Sequence, residues 1–160
     1  MILVTVGMQV GFDRLIRAMD ALAPSLGCEV IAQIGVGSYE PQNMVSRQQI
    51  GPSEFEELVA QSQLIVSHAG IGTILTAQRF STPIVLFPRR LDHGEHRNDH
   101  QVATVNNLRG RSGLIIAMEK DELPAKIAEG LQMGESKLAL SATAQRLHSA
   151  IENFIENGQL

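Results

Sequence analysis

Apolar residues along the chain fall into short unbroken runs, separated by longer stretches in which they recur every three or four positions. The runs cover residues 2–6, 29–34, 64–67, 84–87 and 114–118, with a weaker one at 45–50. Runs of this length without polar alternation predict strands buried on both faces, the pattern of a parallel sheet. Between them, Leu15, Ile16, Met19 and Leu22 share one helical face, and Phe55, Leu58 and Val59 share another. Ser53-Glu54-Phe55-Glu56 has the form of a capping box, in which the serine accepts the N3 amide and Glu56 reaches back; it predicts a helix start just after Gly51-Pro52. Asp121-Glu122-Leu123-Pro124 predicts another helix start, with acids at the positive end of the dipole. Leu140, Ala144, Leu147, Ile151 and Phe154 alternate spacings of four and three, predicting a long amphipathic helix over 136–157. Residues 35–43 carry Gly, Ser and Pro without periodicity and predict a long loop, a length often kept for function. Residues 110–113 predict a turn before the last strand. There is no internal repeat, low-complexity tract or linker, so strands alternating with helices predict one α/β domain over 1–160, a Rossmann-like parallel sheet with helices on both faces.

Composition narrows the picture. A chain of 160 residues is the size of one core, and 44% hydrophobic with 19% charged residues excludes an intrinsically disordered chain. A net charge of −4 supplies no general field for nucleic acid, which is not expected as a partner, so any phosphate must be held by local geometry. The lone Cys28 sits in the apolar run 28–32 and predicts a buried thiol in a reducing compartment. The chain opens on a strand without a basic leader, and no stretch approaches the roughly 20 apolar residues of a membrane span. A cytoplasmic protein is expected, reaching the inner face of a membrane only through a surface or a partner.

The chemistry concentrates between residues 64 and 101. A strand at 64–67 runs into His68-Ala69-Gly70-Ile71-Gly72-Thr73 and then a helix. A glycine-rich turn at that place exposes unpaired backbone amides at the positive end of a helix dipole, which makes an anion site. Gly70 and Gly72 let the backbone approach a phosphate, Thr73 offers a hydroxyl, and His68 offers a hydrogen bond or a charge. A plain strand-to-helix turn with a buried histidine fits the same spacing.

The order of three motifs is more specific than any one of them. Residues 67–73, then Ser81-Thr82-Pro83-Ile84-Val85-Leu86-Phe87-Pro88, then Asn98-Asp99-His100-Gln101 together resemble the C-terminal domain of family twenty-eight glycosyltransferases. With the opening Val4-Thr5-Val6-Gly7-Met8-Gln9 and Phe12-Asp13-Arg14-Leu15-Ile16, the chain looks like the PssE-like donor-binding subunits of split glycosyltransferases in bacterial polysaccharide synthesis. The resemblance implies a GT-B-type donor domain that takes a UDP-sugar as co-substrate and needs no other cofactor. It implies that His68, Gly70, Gly72 and Thr73, with Gly7 and Gln9 of the first turn, face the donor diphosphate. Gly51, Pro52 and Ser53 would hold the uracil, and His100 and Gln101 the sugar. The family's acid for the ribose hydroxyls falls on Thr76, a residue that accepts them only weakly, and many relatives carry threonine in place of Met8.

Two other readings concern the same edge. Asp92, His93, His96 and His100 lie close enough in sequence for a metal site, but Gly94 and the surrounding polarity suggest a mobile loop, and a position beyond the carboxyl ends of the strands favours a sugar contact. Arg89 and Arg90 either balance a diphosphate or uronic acid, or are surface charges. GT-B enzymes hold donor and acceptor between two domains, and one domain supplies one wall. The resemblance therefore implies a membrane-anchored, PssD-like partner subunit that carries the lipid-linked acceptor and the general base. The apolar stripe of the helix at 136–157 makes it a candidate docking element, and packing on its own domain fits that stripe equally well. The expected reaction is transfer of a hexose or hexuronic acid to a lipid-diphosphate-linked sugar. A non-catalytic nucleotide-binding module is the rival.

Overall fold

The computed structural model describes residues 1–133; the helix expected over 136–157 lies outside the described residues. Six parallel strands form one sheet: β1 (Ile2–Thr5), β2 (Val30–Gln33), β3 (Val45–Arg47), β4 (Leu64–Ser67), β5 (Ile84–Leu86) and β6 (Leu114–Ile116). The spatial order is β3-β2-β1-β4-β5-β6. All six apolar runs are therefore strands, the weakest of them an exposed edge strand. Helices α1 (Asp13–Leu22), α2 (Pro52–Gln61), α3 (Ile71–Arg79) and α4 (His100–Leu108) lie between strands, a loop joins β2 to β3, and α5 (Leu123–Gln132) follows β6.

The period-two geometry of the strands divides the core. Ile2, Val4, Leu64, Val66 and Val85 pack with Leu15, Ile16 and Met19 of α1 and Leu123 and Ile127 of α5. Leu3, Ile65, Ile84 and Leu86 face the other way, onto Val59 of α2, Ile74 and Ala77 of α3 and Val105 of α4. Gly130 lets α5 lie close on the sheet, since a Cβ there would stand 2.6 Å from Leu64 Cδ1. Cys28 is half-buried against the first of these clusters and is not fully enclosed.

Two local expectations are corrected. Pro52, with its φ preset for helix, occupies the first position of α2, and Gly51 is the cap; Ser53 lies inside the first turn and caps nothing. The Gly51 carbonyl accepts the Phe55 amide at 2.8 Å. The reciprocal capping box closes at Glu119 and Glu122, ahead of α5. The 92–100 segment is also not a loose loop. Glu95 accepts from Arg14 Nε at 2.6 Å and from the Arg90 amide at 3.0 Å, and Asp99 accepts from the Leu91 amide at 2.8 Å.

The 35–43 loop is present at the expected length and is pinned by two carboxylates. Asp13 accepts from the Ser38 amide. Buried Asp20 accepts from the Tyr39 hydroxyl at 2.6 Å and from the Gln42 and Asn43 amides. Burial would raise the pKa of both acids, but the combined hydrogen bonds hold them below the ordinary carboxylate value. Among the described residues no helix is long and apolar enough to cross a membrane.

Candidate functional site

Strand order reverses between β1 and β4, and in such sheets the connections leave to opposite sides and open a crevice beyond the carboxyl ends. The strand register shows where the apolar core stops: Gln33, Thr5 and Ser67 stand side by side at that end, all buried. Thr5 Oγ1 donates to Gln33 Oε1 at 2.7 Å and accepts from the Gly7 amide at 3.2 Å. Above this polar row lie two adjoining clefts, of about 300 and 290 Å³, which share Gly7 and Met8.

The first cleft has Ile50, Pro52 and Phe55 on one side and Gly72, Thr73 and Thr76 of α3 on the other. Its lining is mostly apolar. At the N-terminus of α3, Gly70 is the cap residue and no side chain caps the first turn, so amides there are available to an anion. Thr76 Oγ1 donates to the Gly72 carbonyl at 3.0 Å.

The second cleft is polar and is lined by Gln9, His68, Arg89, His96 and Gln101, with no carboxylate among its lining residues. Arg89 is 2% exposed, which excludes the surface-charge reading. Its guanidinium donates at 2.7 Å to each of three carbonyls, those of Val6, Val10 and Gly11, and lies over the Phe12 ring. All three acceptors are neutral, so no carboxylate is hydrogen-bonded to Arg89 and its charge biases the cleft towards anions. Burial lowers the Arg89 pKa, with Glu95 opposing the shift, and a guanidinium still stays charged.

His68 fills the space between the two turns. A Cβ at Gly7 would stand 2.9 Å from its Cε1, and one at Gly70 would press closer still on its Nε2. Burial first, and the Arg89 charge second, push the His68 pKa down to about 4. The ring is therefore neutral at ordinary pH in the free chain, and of the two roles read from the motif only the hydrogen bond remains.

Of the residues expected at the site, Gly7, Pro52, Gly72, Thr73 and Thr76 line the first cleft, and Gly7, Gln9, His68 and Gln101 line the second. Gly51, Ser53, Gly70 and His100 line neither. Gly70 instead makes room for His68. Gln101 is buried, and its Oε1 accepts from the amides of Ala69 and Arg89 at 3.2 and 3.0 Å, so it also ties the β4 turn to the end of β5. His100 is exposed, its ring edge-on to that of His96 at 4.4 Å. Among the described residues, no three His, Cys, Asp or Glu side chains converge on a point that could hold a metal ion.

Sequence reasoning left Arg89 between two roles, named His96 only for a metal, and missed Glu56 as a contributor to the site. Arg89 bonds only to backbone, which no motif announces. His96 has a buried Nδ1 without a hydrogen-bond partner and reaches the second cleft only because Glu95 anchors its segment. Glu56, the one carboxylate lining the first cleft, looked like a capping residue.

A Rossmann-like parallel sheet with an amide-exposing turn and a divided cleft at its switch point is the domain architecture of GT-B glycosyltransferases. The sequence matches the glycosyltransferase family 28 C-terminal domain over residues 1–156, and the chain belongs to that family. No curated protein sequence matches it. Among solved structures, the fold is similar to MurG of Acinetobacter baumannii, at 16% identity and a TM-score of 0.59, covering 83% of this chain and 42% of that one. It is similar to CalG4, the calicheamicin glycosyltransferase, at 22% and 0.55, covering 99% and 38%. The spinosyn rhamnosyltransferase SpnG matches at 18% and 0.55, covering 82% and 36%. This chain thus spans about two fifths of the length of each of these proteins.

Proposed function

We propose that the chain binds a UDP-sugar across the two clefts, nucleoside in the first and distal phosphate and sugar in the second, as the donor-binding component of a two-part glycosyltransferase. The observation that carries this is the sharing of Gly7 and Met8 by an apolar cleft at the start of α3 and a carboxylate-free cleft beside the Arg89 charge. That pairing suits a ligand with a flat base at one end and an anion at its middle. Family membership supports the reaction class. The transferred group would be a hexose or hexuronic acid and the acceptor a lipid-diphosphate-linked sugar, presented by a membrane-anchored partner that also supplies the base. Holding an acceptor oxygen beside the anomeric carbon contributes roughly 7–11 kcal/mol through positioning, and this needs a second wall facing the clefts.

Calorimetric titration with UDP, UDP-hexoses and UDP-hexuronic acids tests donor binding, and a folded chain that binds none of them would overturn it. Transfer is then assayed with and without a membrane-anchored partner and a lipid-linked acceptor. Activity is expected only with the partner; full activity of these 160 residues alone would remove the two-part reading. Thr76, whose hydroxyl hydrogen is committed to the Gly72 carbonyl, favours one second reading, a nucleotide-binding module without transfer. Donor binding without transfer by the reconstituted pair would select it.

A further inference from the structure

We propose that Glu56 reads the ribose of the bound nucleotide and makes the first cleft selective for ribonucleoside over deoxyribonucleoside diphosphates. The inference rests on the nucleoside occupying the first cleft, as proposed above. A nucleoside offers that cleft two kinds of surface, a flat base and a sugar edge carrying two neighbouring hydroxyls. The apolar side chains of Ile50 and Phe55 suit the base. The hydroxyls need acceptors, and most of the polar groups lining the cleft are already engaged. Gln33 Oε1 accepts from Thr5, and the Thr76 hydroxyl has given its hydrogen to the Gly72 carbonyl, which leaves it only as a neutral acceptor, weaker than a carboxylate.

Glu56 is different. It is the one carboxylate in the lining, adjacent to Phe55 on α2 and facing α3 across the cleft. Its Oε2 accepts from Arg79 Nη2 of α3, which fixes the side chain between the two helices, while Oε1 has no hydrogen-bond partner among the described residues. A carboxylate carries about four acceptor sites and one is used here, so both ribose hydroxyls can be accepted by the same group. A carboxylate that accepts from the ribose hydroxyls favours the ligand carrying them, because a hydrogen bond to a charged acceptor is stronger than one to a neutral group.

The test measures affinities of the folded chain for UDP, 2′-deoxy-UDP and 2′,3′-dideoxy-UDP by calorimetry, in wild type, Glu56→Gln and Arg79→Met. The wild type should prefer UDP to the dideoxy compound by about tenfold or more, the usual size of a hydrogen bond to a charged group. In Glu56→Gln the preference should shrink to within about threefold, although removing a negative charge can raise the affinity for all three diphosphates together. Arg79→Met breaks the same ion pair but keeps the carboxylate, and should retain the preference. An unchanged UDP-to-dideoxy ratio in Glu56→Gln, or an equal loss of preference in Arg79→Met, overturns the assignment. Failure of the wild type to bind UDP at all overturns the nucleotide reading itself, an outcome distinct from binding without discrimination.

Discussion

The two glycine turns at the carboxyl edge of the sheet, one after β1 and one after β4, face each other and are held in different ways. The first is fixed from outside, by the Arg89 guanidinium gripping the carbonyls of Val6, Val10 and Gly11. The second is braced from within by His68, which folds back against Gly70, with the Gln101 side chain of α4 accepting the Ala69 amide beside it. The difference teaches that a glycine in a binding turn is there either for a neighbouring side chain or for a ligand. Gly7 and Gly70 are glycines because the His68 ring takes the space a Cβ would need. Around Gly72 that space is empty.

The largest effect on stability is expected from Arg89→Met, which keeps the apolar stem and removes every donor from the first turn. Three carbonyls lose their partners, each worth about 1–3 kcal/mol when buried, and the relief of burying a charge offsets only part of this. A net loss of about 3 kcal/mol or more should appear in urea unfolding as a lower midpoint with an unchanged slope. Arg89→Lys should recover little of it, since an ammonium lacks the planar fork that spans three acceptors. A loss under about 1 kcal/mol in Arg89→Met would show that the turn holds itself.

His68 gives the next effect, read through pH. Its pKa falls from 6.5 to about 4 on folding, so between those values the unfolded chain binds more protons than the folded one. Stability is then complete above about pH 6.5 and declines as pH falls towards 4, by on the order of 3 kcal/mol in all. His68→Gln should flatten the slope of unfolding free energy against pH in that window. A variant with the wild-type slope would mean that the ring is not buried neutral between the turns.

How far these features could be read in advance follows from what each residue bonds to. The strands were legible because a strand buried on both faces must be apolar at every position, and a run of four or five such residues between turn signals suits little else. The glycine turn was legible as a motif, and it does carry the helix start beside the first cleft. The roles of Gly70 and Gly72 within it could not be separated, because what distinguishes them is the position of one imidazole in space. Arg89 read as an ambiguous charge because its partners are carbonyls, which every residue has. Ser53 misled for a related reason: the box pattern was sound, but the preset φ of Pro52 moved the cap of α2 two residues earlier, to Gly51.

The smallest effects on the fold, and the sharpest test of the comparison, come from placing the same kind of substitution at the two glycines of the second turn. Gly70→Ala drives a methyl into His68 Nε2, well inside contact distance, and such overpacking costs about 1–3 kcal/mol. The ring should be displaced, with a changed His68 titration in NMR. Gly72 lies in the first turn of α3 with nothing within 4 Å of a Cβ, and replacing glycine in a helix generally gains a few tenths of a kcal/mol. Gly72→Val should therefore unfold within about 0.5 kcal/mol of wild type. The valine side chain would nevertheless occupy the approach to the first-turn amides, so UDP affinity should collapse while the thermal midpoint holds. If Gly72→Val binds UDP normally, the open space beside Gly72 is not where the diphosphate lies. If instead it unfolds as readily as Gly70→Ala, the two glycines do not divide packing from binding, and the contrast between the turns fails.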